Sequence, residues 1–205
     1  MEASEVYLLR VVDGQMVRAE LFDDLSEQHI TLWQRTWLPA MQEAIPRLVA
    51  AKVPQADWPQ DLLWDWRKKT NWASSLLGMR SFCIVCAGNL EGMMMANLIK
   101  TCRLEEQRHK ELVYVEFVST APWNRAKLLV KPRFHGIGKV FVRVAIELSM
   151  HEGFEGRIGL HSLPQANEFY RSRCQMSELA PDPKKEGLVY FEMTPEQATR
   201  FLEDN

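Results

Sequence analysis

The side chains whose types and spacing suggest chemistry gather first in one short stretch. Arg133-Phe134-His135-Gly136-Ile137-Gly138-Lys139 sets two glycines one residue apart between basic side chains, just ahead of an apolar run. Small residues let successive backbone N–H groups approach a pyrophosphate, and the N-terminus of a following helix adds positive potential. The same glycines would serve equally as a turn that starts the helix. Two other phosphate motifs are excluded. Gly138-Lys139 is followed by Val140 rather than Ser or Thr, and Phe141 stands where the dinucleotide fingerprint needs its third glycine.

Glu116 is a carboxylate set between Val115 and Phe117 in the run "ELVYVEFVST". Burial would raise its pKa toward that of a general base working near neutrality; a salt bridge to a neighbouring Arg or Lys is the alternative. Glu111, at the start of the run, is better suited to solvent. His161 and Ser162 end the apolar run "RIGLHS", where His161 either relays a proton or is hydrogen-bonded structure. Cys83 and Cys86 form a C-x-x-C, but alternation along a strand sends them to opposite faces, which favours buried apolar side chains over a shared metal. No cluster has metal-ligand spacing, so no metal is expected.

The elements that must position these groups follow from periodicity. "EVYLLRVV" and "MVRAELF" around "DGQ" read as two strands. From Asp24 onward Ile30, Trp33, Trp37, Met41, Ile45 and Leu48 recur at helical steps, with Asp24 and Glu27 as a capping pair. Pro39 and Pro46 should kink or split this helix. A second helix is expected over 59–78. Three strands follow, "SFCIVCA", "GMMMANLIKT" and "ELVYVEFVST", the first two joined by a Gly88-Asn89 turn. Then come a helix with an apolar stripe at Val140, Phe141, Val144, Ala145 and Leu148, capped at Gly153, a strand, a helix over "PQANEFYRSR", a polar loop over "APDPKKEG", the strand "LVYFEM" and a short helix from Thr194.

The whole chain sets the class. Its 205 residues carry a formal charge of −2 with 46% apolar residues, which suits one globular domain and gives no electrostatic case for nucleic acid or an anionic membrane. No apolar run approaches the roughly 20 residues of a membrane span. The N-terminus lacks a signal-peptide pattern, and four cysteines make no disulfide framework, so a cytoplasmic location is expected.

R-x-x-G-x-G after a strand and before a helix, within this order of elements, resembles the GNAT superfamily of acetyl-CoA-dependent N-acetyltransferases. Ala166 and Tyr170, four apart in "PQANEFY", match a second family feature. The resemblance is detailed over 79–192 and topological before that. It implies a single α/β domain over 1–205, with an N-terminal strand and Trp-rich helices over 1–78 and a coenzyme-binding core over 79–205. Its mixed, mostly antiparallel sheet would splay between the fourth and fifth strands, with helices on both faces.

In such a protein Arg133, Phe134, His135, Gly136, Ile137, Gly138 and Lys139 would hold the coenzyme A pyrophosphate. Backbone near Phe117 and Val118 would hold the pantetheine, and Tyr170 would protonate the departing thiolate. Glu116 is then the base for a primary amine on a small-molecule or peptide acceptor, attacking acetyl-CoA directly in a ternary complex. The sequence departs from the family at Leu163, where an asparagine is usual, and at Cys174-Gln175, where glycine-phenylalanine is usual. Those departures keep a second reading in view: a non-catalytic acyl-CoA-binding or partner-binding module. The tryptophans read mostly as core, Trp33 and Trp37 four apart above all; Trp64, Trp66 or Trp72 lining the acceptor pocket is the weaker reading, and a spare aromatic face would serve a homodimer interface.

Overall fold

A computed structural model describes residues 3–125 and 132–204. Residues 126–131 of the long connection ahead of Arg133 lie outside the described residues.

Nine strands form one sheet, β1 (Ser4–Arg10), β2 (Met16–Phe22), β3 (Met79–Cys86), β4 (Asn89–Thr101), β5 (Glu111–Thr120), β6 (Phe134–His135), β7 (Ile158–Ser162), β8 (Ser177–Asp182) and β9 (Leu188–Met193). Their order is β6-β1-β2-β3-β4-β5-β7-β9-β8. β5 and β7 pair in parallel, whereas β1–β2, β1–β6, β2–β3, β7–β9 and β8–β9 are antiparallel. The expected mixed, mostly antiparallel sheet is therefore present. Two of its strands were not anticipated. β6 is only two residues long, and β8 is a polar edge strand with Pro181 at a register shift, a position where a missing backbone donor is tolerated.

The chain divides into two compact units, each described by itself: Met1–Leu77, Ser81–Met94 and Val118–Ile137; and Gly78–Arg80, Met95–Phe117 and Gly138–Asn205.

In the first unit α1 (Glu27–Leu32) passes through a widened turn at Trp33–Trp37 into α2 (Leu38–Ala50). Its cap is Ser26, not the expected Asp24–Glu27 pair: the Ser26 backbone N–H donates to His29 Nδ1 at 3.2 Å. Pro39 does not split the helix, because the turn that ends with Leu38 N–H donating to Trp33 O shifts the hydrogen-bond register just before the residue that has no N–H. Pro46 lies inside α2, which continues past it. Trp33 and Trp37 are core, and Trp37 Nε1 donates to Leu90 O at 2.8 Å. The second helix is shorter than expected: α3 spans Trp66–Ser74, with Asp65 accepting from the Lys68 backbone N–H at 3.0 Å. Trp66 is fully buried, while Trp72 is exposed. The β3–β4 turn is Ala87-Gly88, both with positive φ, rather than Gly88-Asn89.

In the second unit α4 (Ile137–His151) buries Phe141, Val142, Val144, Ala145 and Ile146 and ends as expected, with Gly153 at positive φ. The "PQANEFYRSR" helix is irregular, a tight turn at Pro164–Ala166 followed by a wide one at Phe169–Arg173. α5 (Pro195–Asp204) follows β9. Met95 of β4 is buried here, as Met93 and Met94 are in the first unit, which suits flexible filling on both faces of that strand.

Candidate functional site

The two glycines at the start of α4 have different tasks. Gly136 has φ +94°, a left-handed value, and a Cβ built there would meet nothing within 4 Å. It makes the turn and leaves open space beside the helix N-terminus. A Cβ on Gly138 would sit 3.1 Å from Phe169 Cζ, so that glycine lets the first turn of α4 pack against an aromatic ring. His135 is exposed and Lys139 is half-buried.

The segment leading into the turn is tied down by a buried carboxylate. Glu91, fully buried, accepts from Trp123 Nε1 and from Asn124 Nδ2, both at 2.7 Å, and Asn124 Oδ1 accepts the Phe134 N–H at 2.9 Å. Burial pushes the Glu91 carboxyl above the usual range. Arg133 Nη1 lies 3.4 Å from Glu91 Oε1, and its guanidinium stands over the Phe134 ring at 5.1 Å. Arg133 therefore answers Glu91, and a phosphate on this loop would rest chiefly on backbone amides.

Between β5 and β7 the ladder is short. Val113, Tyr114 and Val115 pair with Ile158, Gly159 and Leu160, and pairing stops there although both strands continue. β7 instead stays paired with β9 through Ser162. Beyond Val115 β5 runs on through Glu116 and Phe117 without a β7 partner in this ladder. Val118 follows in the first unit.

Glu116 is half-buried, and its Oε1 accepts from Asn97 Nδ2 at 3.2 Å. Of the two alternatives weighed from the sequence, a salt bridge is absent for Glu116 among the described residues. Tyr170 is buried, its ring 5.1 Å from Phe169 and 5.8 Å from Phe191, and burial raises its hydroxyl pKa. Cys174 is buried, with its thiol pushed up to about 12 by desolvation, which disfavours an acyl-cysteine.

A hydrogen-bonded chain that the sequence did not suggest runs beside this gap. Tyr114 Oη lies 2.6 Å from His161 Nδ1, His161 Nε2 lies 3.1 Å from Asp182 Oδ2, and Arg103 Nη1 donates to that same oxygen at 2.7 Å. The Arg103 guanidinium holds the Asp182 carboxyl down to about 2, so it is an ionised acceptor. Nε2 must then carry the imidazole proton, and Nδ1 accepts from the Tyr114 hydroxyl. Burial lowers the His161 pKa, against the raising effect of Asp182.

A second buried carboxylate fixes the neighbouring loop. Glu192 accepts from the backbone N–H of Arg103 at 2.7 Å and of Leu104 at 3.0 Å, from Gln107 Nε2 at 2.8 Å and from Tyr190 Oη at 2.7 Å. A methyl at Gly159 would collide with the Tyr190 hydroxyl, so that glycine is what lets Tyr190 reach Glu192. Among the described residues no group of His, Cys, Asp and Glu could hold a metal ion, and no helix is long and apolar enough to cross a membrane.

No family model matches the chain, and no curated protein sequence matches it. Solved structures do. A GNAT-family acetyltransferase from Listeria monocytogenes superposes with TM-score 0.52 at 14% identity, over 93% of this chain and 99% of that one. The PaiA N-acetyltransferase from Thermoplasma acidophilum, solved with coenzyme A, gives 0.52 at 11% identity over 86% and 98%. The GNAT domain of Pat from S. lividans gives 0.51 at 12% identity over 93% and 96%. The fold is that of the GNAT acetyltransferases. Within the GNAT fold β5 and β7 take the places expected of the fourth and fifth strands, and the shortened ladder between them is the expected splay.

Proposed function

We propose that the chain is an acetyl-CoA-dependent N-acetyltransferase, acting as a single domain and transferring an acetyl group to a primary amine in a ternary complex. The observation that carries this reading is the short parallel ladder between β5 and β7, which ends at Val115 and Leu160, on a GNAT fold. The open left-handed turn at Gly136, which heads the fifteen-residue α4, supports it.

The residues fit the coenzyme in kind. Backbone N–H groups from Gly136 to Lys139, with Arg133, Phe134 and His135 leading in, would receive the pyrophosphate, and strand backbone near Phe117 and Val118 would receive the pantetheine. The coenzyme supplies an activated acetyl thioester. The amine nitrogen forms a bond to the acetyl carbon, the carbon–sulfur bond breaks, the nitrogen loses a proton and the thiolate gains one. Glu116 takes the proton from the amine, and Tyr170 donates one to the departing sulfur. Proximity of the two bound substrates supplies most of the rate, with acid and base adding about 10²–10⁴-fold.

The test is release of free thiol from acetyl-CoA over a panel of primary amines, with product mass confirming N-acetylation. Thiol release that depends on an amine supports the enzyme. Coenzyme binding without turnover of any amine would favour the binding-module reading, to which the departures at Leu163, Cys174 and Gln175 point.

A further inference from the structure

A cavity of about 530 Å³ opens within the second unit, and none of the residues from Arg133 to Lys139 lines it. Its walls carry the cationic side chains of Lys100, Arg103, Arg108 and Lys185, with Tyr114 and His161 among the polar groups beside them and no carboxylate among the lining residues. Such a concentration of positive charge stands out on a chain whose formal charge is −2.

Part of that charge is already answered. Arg103 pairs with Asp182 at 2.7 Å, and Arg108 pairs with Glu105 at 2.5 Å. Lys100, at the end of β4, and Lys185, in the turn before β9, have no ion pair among the described residues. Lys185 Nζ lies 6.0 Å from the Tyr114 ring centroid. Two ammonium groups from separate elements therefore border one concave site with their charge unmatched, which is the arrangement that recognises an anion.

The walls are also held in place. Arg103 is fixed by Asp182, by stacking over Tyr190 at 4.5 Å, and by Glu192 on its backbone N–H. The cavity borders the gap in the sheet: Tyr114 lies two residues before Glu116 on the same strand face, and His161 follows Leu160, the last paired residue of β7. Its volume suits a small molecule rather than a protein surface.

Resting on the acetyltransferase reading, we infer that this cavity receives the acceptor, and that the acceptor is a small primary amine carrying a phosphate or carboxylate group. Lys100 and Lys185 bind the anionic group, while Arg103 and the Tyr114–His161 pair shape the wall facing the amine.

Calorimetric titration with inorganic phosphate and with malonate, on wild type, Lys100→Gln/Lys185→Gln and Gly136→Trp, separates this site from the pyrophosphate loop and shows which anionic head is preferred. Both lysines are exposed, so the double variant should fold. The expected result is binding of at least one anion that weakens about tenfold or more in the lysine variant and persists in Gly136→Trp. Absence of binding by both anions, or binding unchanged by the lysine substitutions, would overturn the inference. A parallel assay compares O-phosphoethanolamine with ethanolamine as acceptors in the presence of acetyl-CoA. Preference for ethanolamine would also overturn it. Failure of acetyl-CoA to bind, with phosphate still bound through the lysines, would instead remove the acetyltransferase reading and leave the anion site.

Discussion

Gly136 and Gly138 look alike in the sequence and differ in space: one makes a left-handed turn into an open region, the other admits the Phe169 ring. The motif was legible because it is local, a matter of adjacent residues. The spacing of Tyr170 to Ala166 is local in the same way. Tyr170 is buried against Phe169 and Phe191, and desolvation raises its pKa, so in the proposed mechanism its proton is given up only to a strongly basic departing thiolate. Tyr170→Phe should lower kcat about 10²-fold or more while leaving the affinity for acetyl-CoA nearly unchanged. Steady-state kinetics beside a coenzyme titration check this, and unchanged kcat would remove the role. The Tyr114–His161–Asp182–Arg103 chain was not legible, because four positions far apart in sequence meet only once β5, β7 and β8 are arranged.

Among the elements, those with strong period were read correctly in kind, namely β1 to β5, α4, β7, β9 and α5. β6 escaped because two residues carry no period, and β8 because Pro181 and its polar neighbours mimic a loop. Ends were set by chemistry that the pattern does not show, such as the Ser26–His29 cap and the turn that re-registers the helix ahead of Pro39. The 102–110 connection is an example of order that no pattern announces. Its backbone is pinned to β9 through Glu192, a buried carboxylate with four donors. Glu192→Ala should therefore leave buried donors unmatched and free the loop. Hydrogen exchange of the Arg103 and Leu104 amides should accelerate by about tenfold or more in that variant. Unchanged protection would show that the loop is held by something else.

For the whole molecule, composition pointed to a globular chain, and the mixed α/β sheet followed from the order of elements. Its stability should depend on pH through two buried histidines. Burial lowers the pKa of His29 and of His161, so near neutrality both are neutral in the folded chain. Between their folded pKa and the unfolded value of about 6.5 the unfolded chain binds more protons, so stability rises with pH across that window. The contribution is complete above about 6.5 and is lost as pH falls below it. Glu91 has the opposite sign, because its raised pKa makes the folded chain bind the extra proton at pH values above the ordinary carboxyl range. The difference between wild type and His29→Gln/His161→Gln isolates the histidines. Thermal midpoints measured from about pH 7.5 down to about pH 5.5 should fall more steeply in wild type than in the double variant. Equal slopes would contradict the assignment.

The central claim is that the glycine turn at the head of α4 receives the coenzyme. Its most direct test is calorimetric titration of acetyl-CoA and free coenzyme A into wild type, Gly136→Ala and Gly136→Trp, each shown to be folded by circular dichroism. Both substitutions strain the same left-handed backbone, but only tryptophan fills the open space beside it. The account predicts that wild type binds both ligands, that the alanine variant retains measurable affinity, and that the tryptophan variant loses it. A folded wild-type protein that binds neither ligand, or a tryptophan variant that binds as well as wild type, would contradict it.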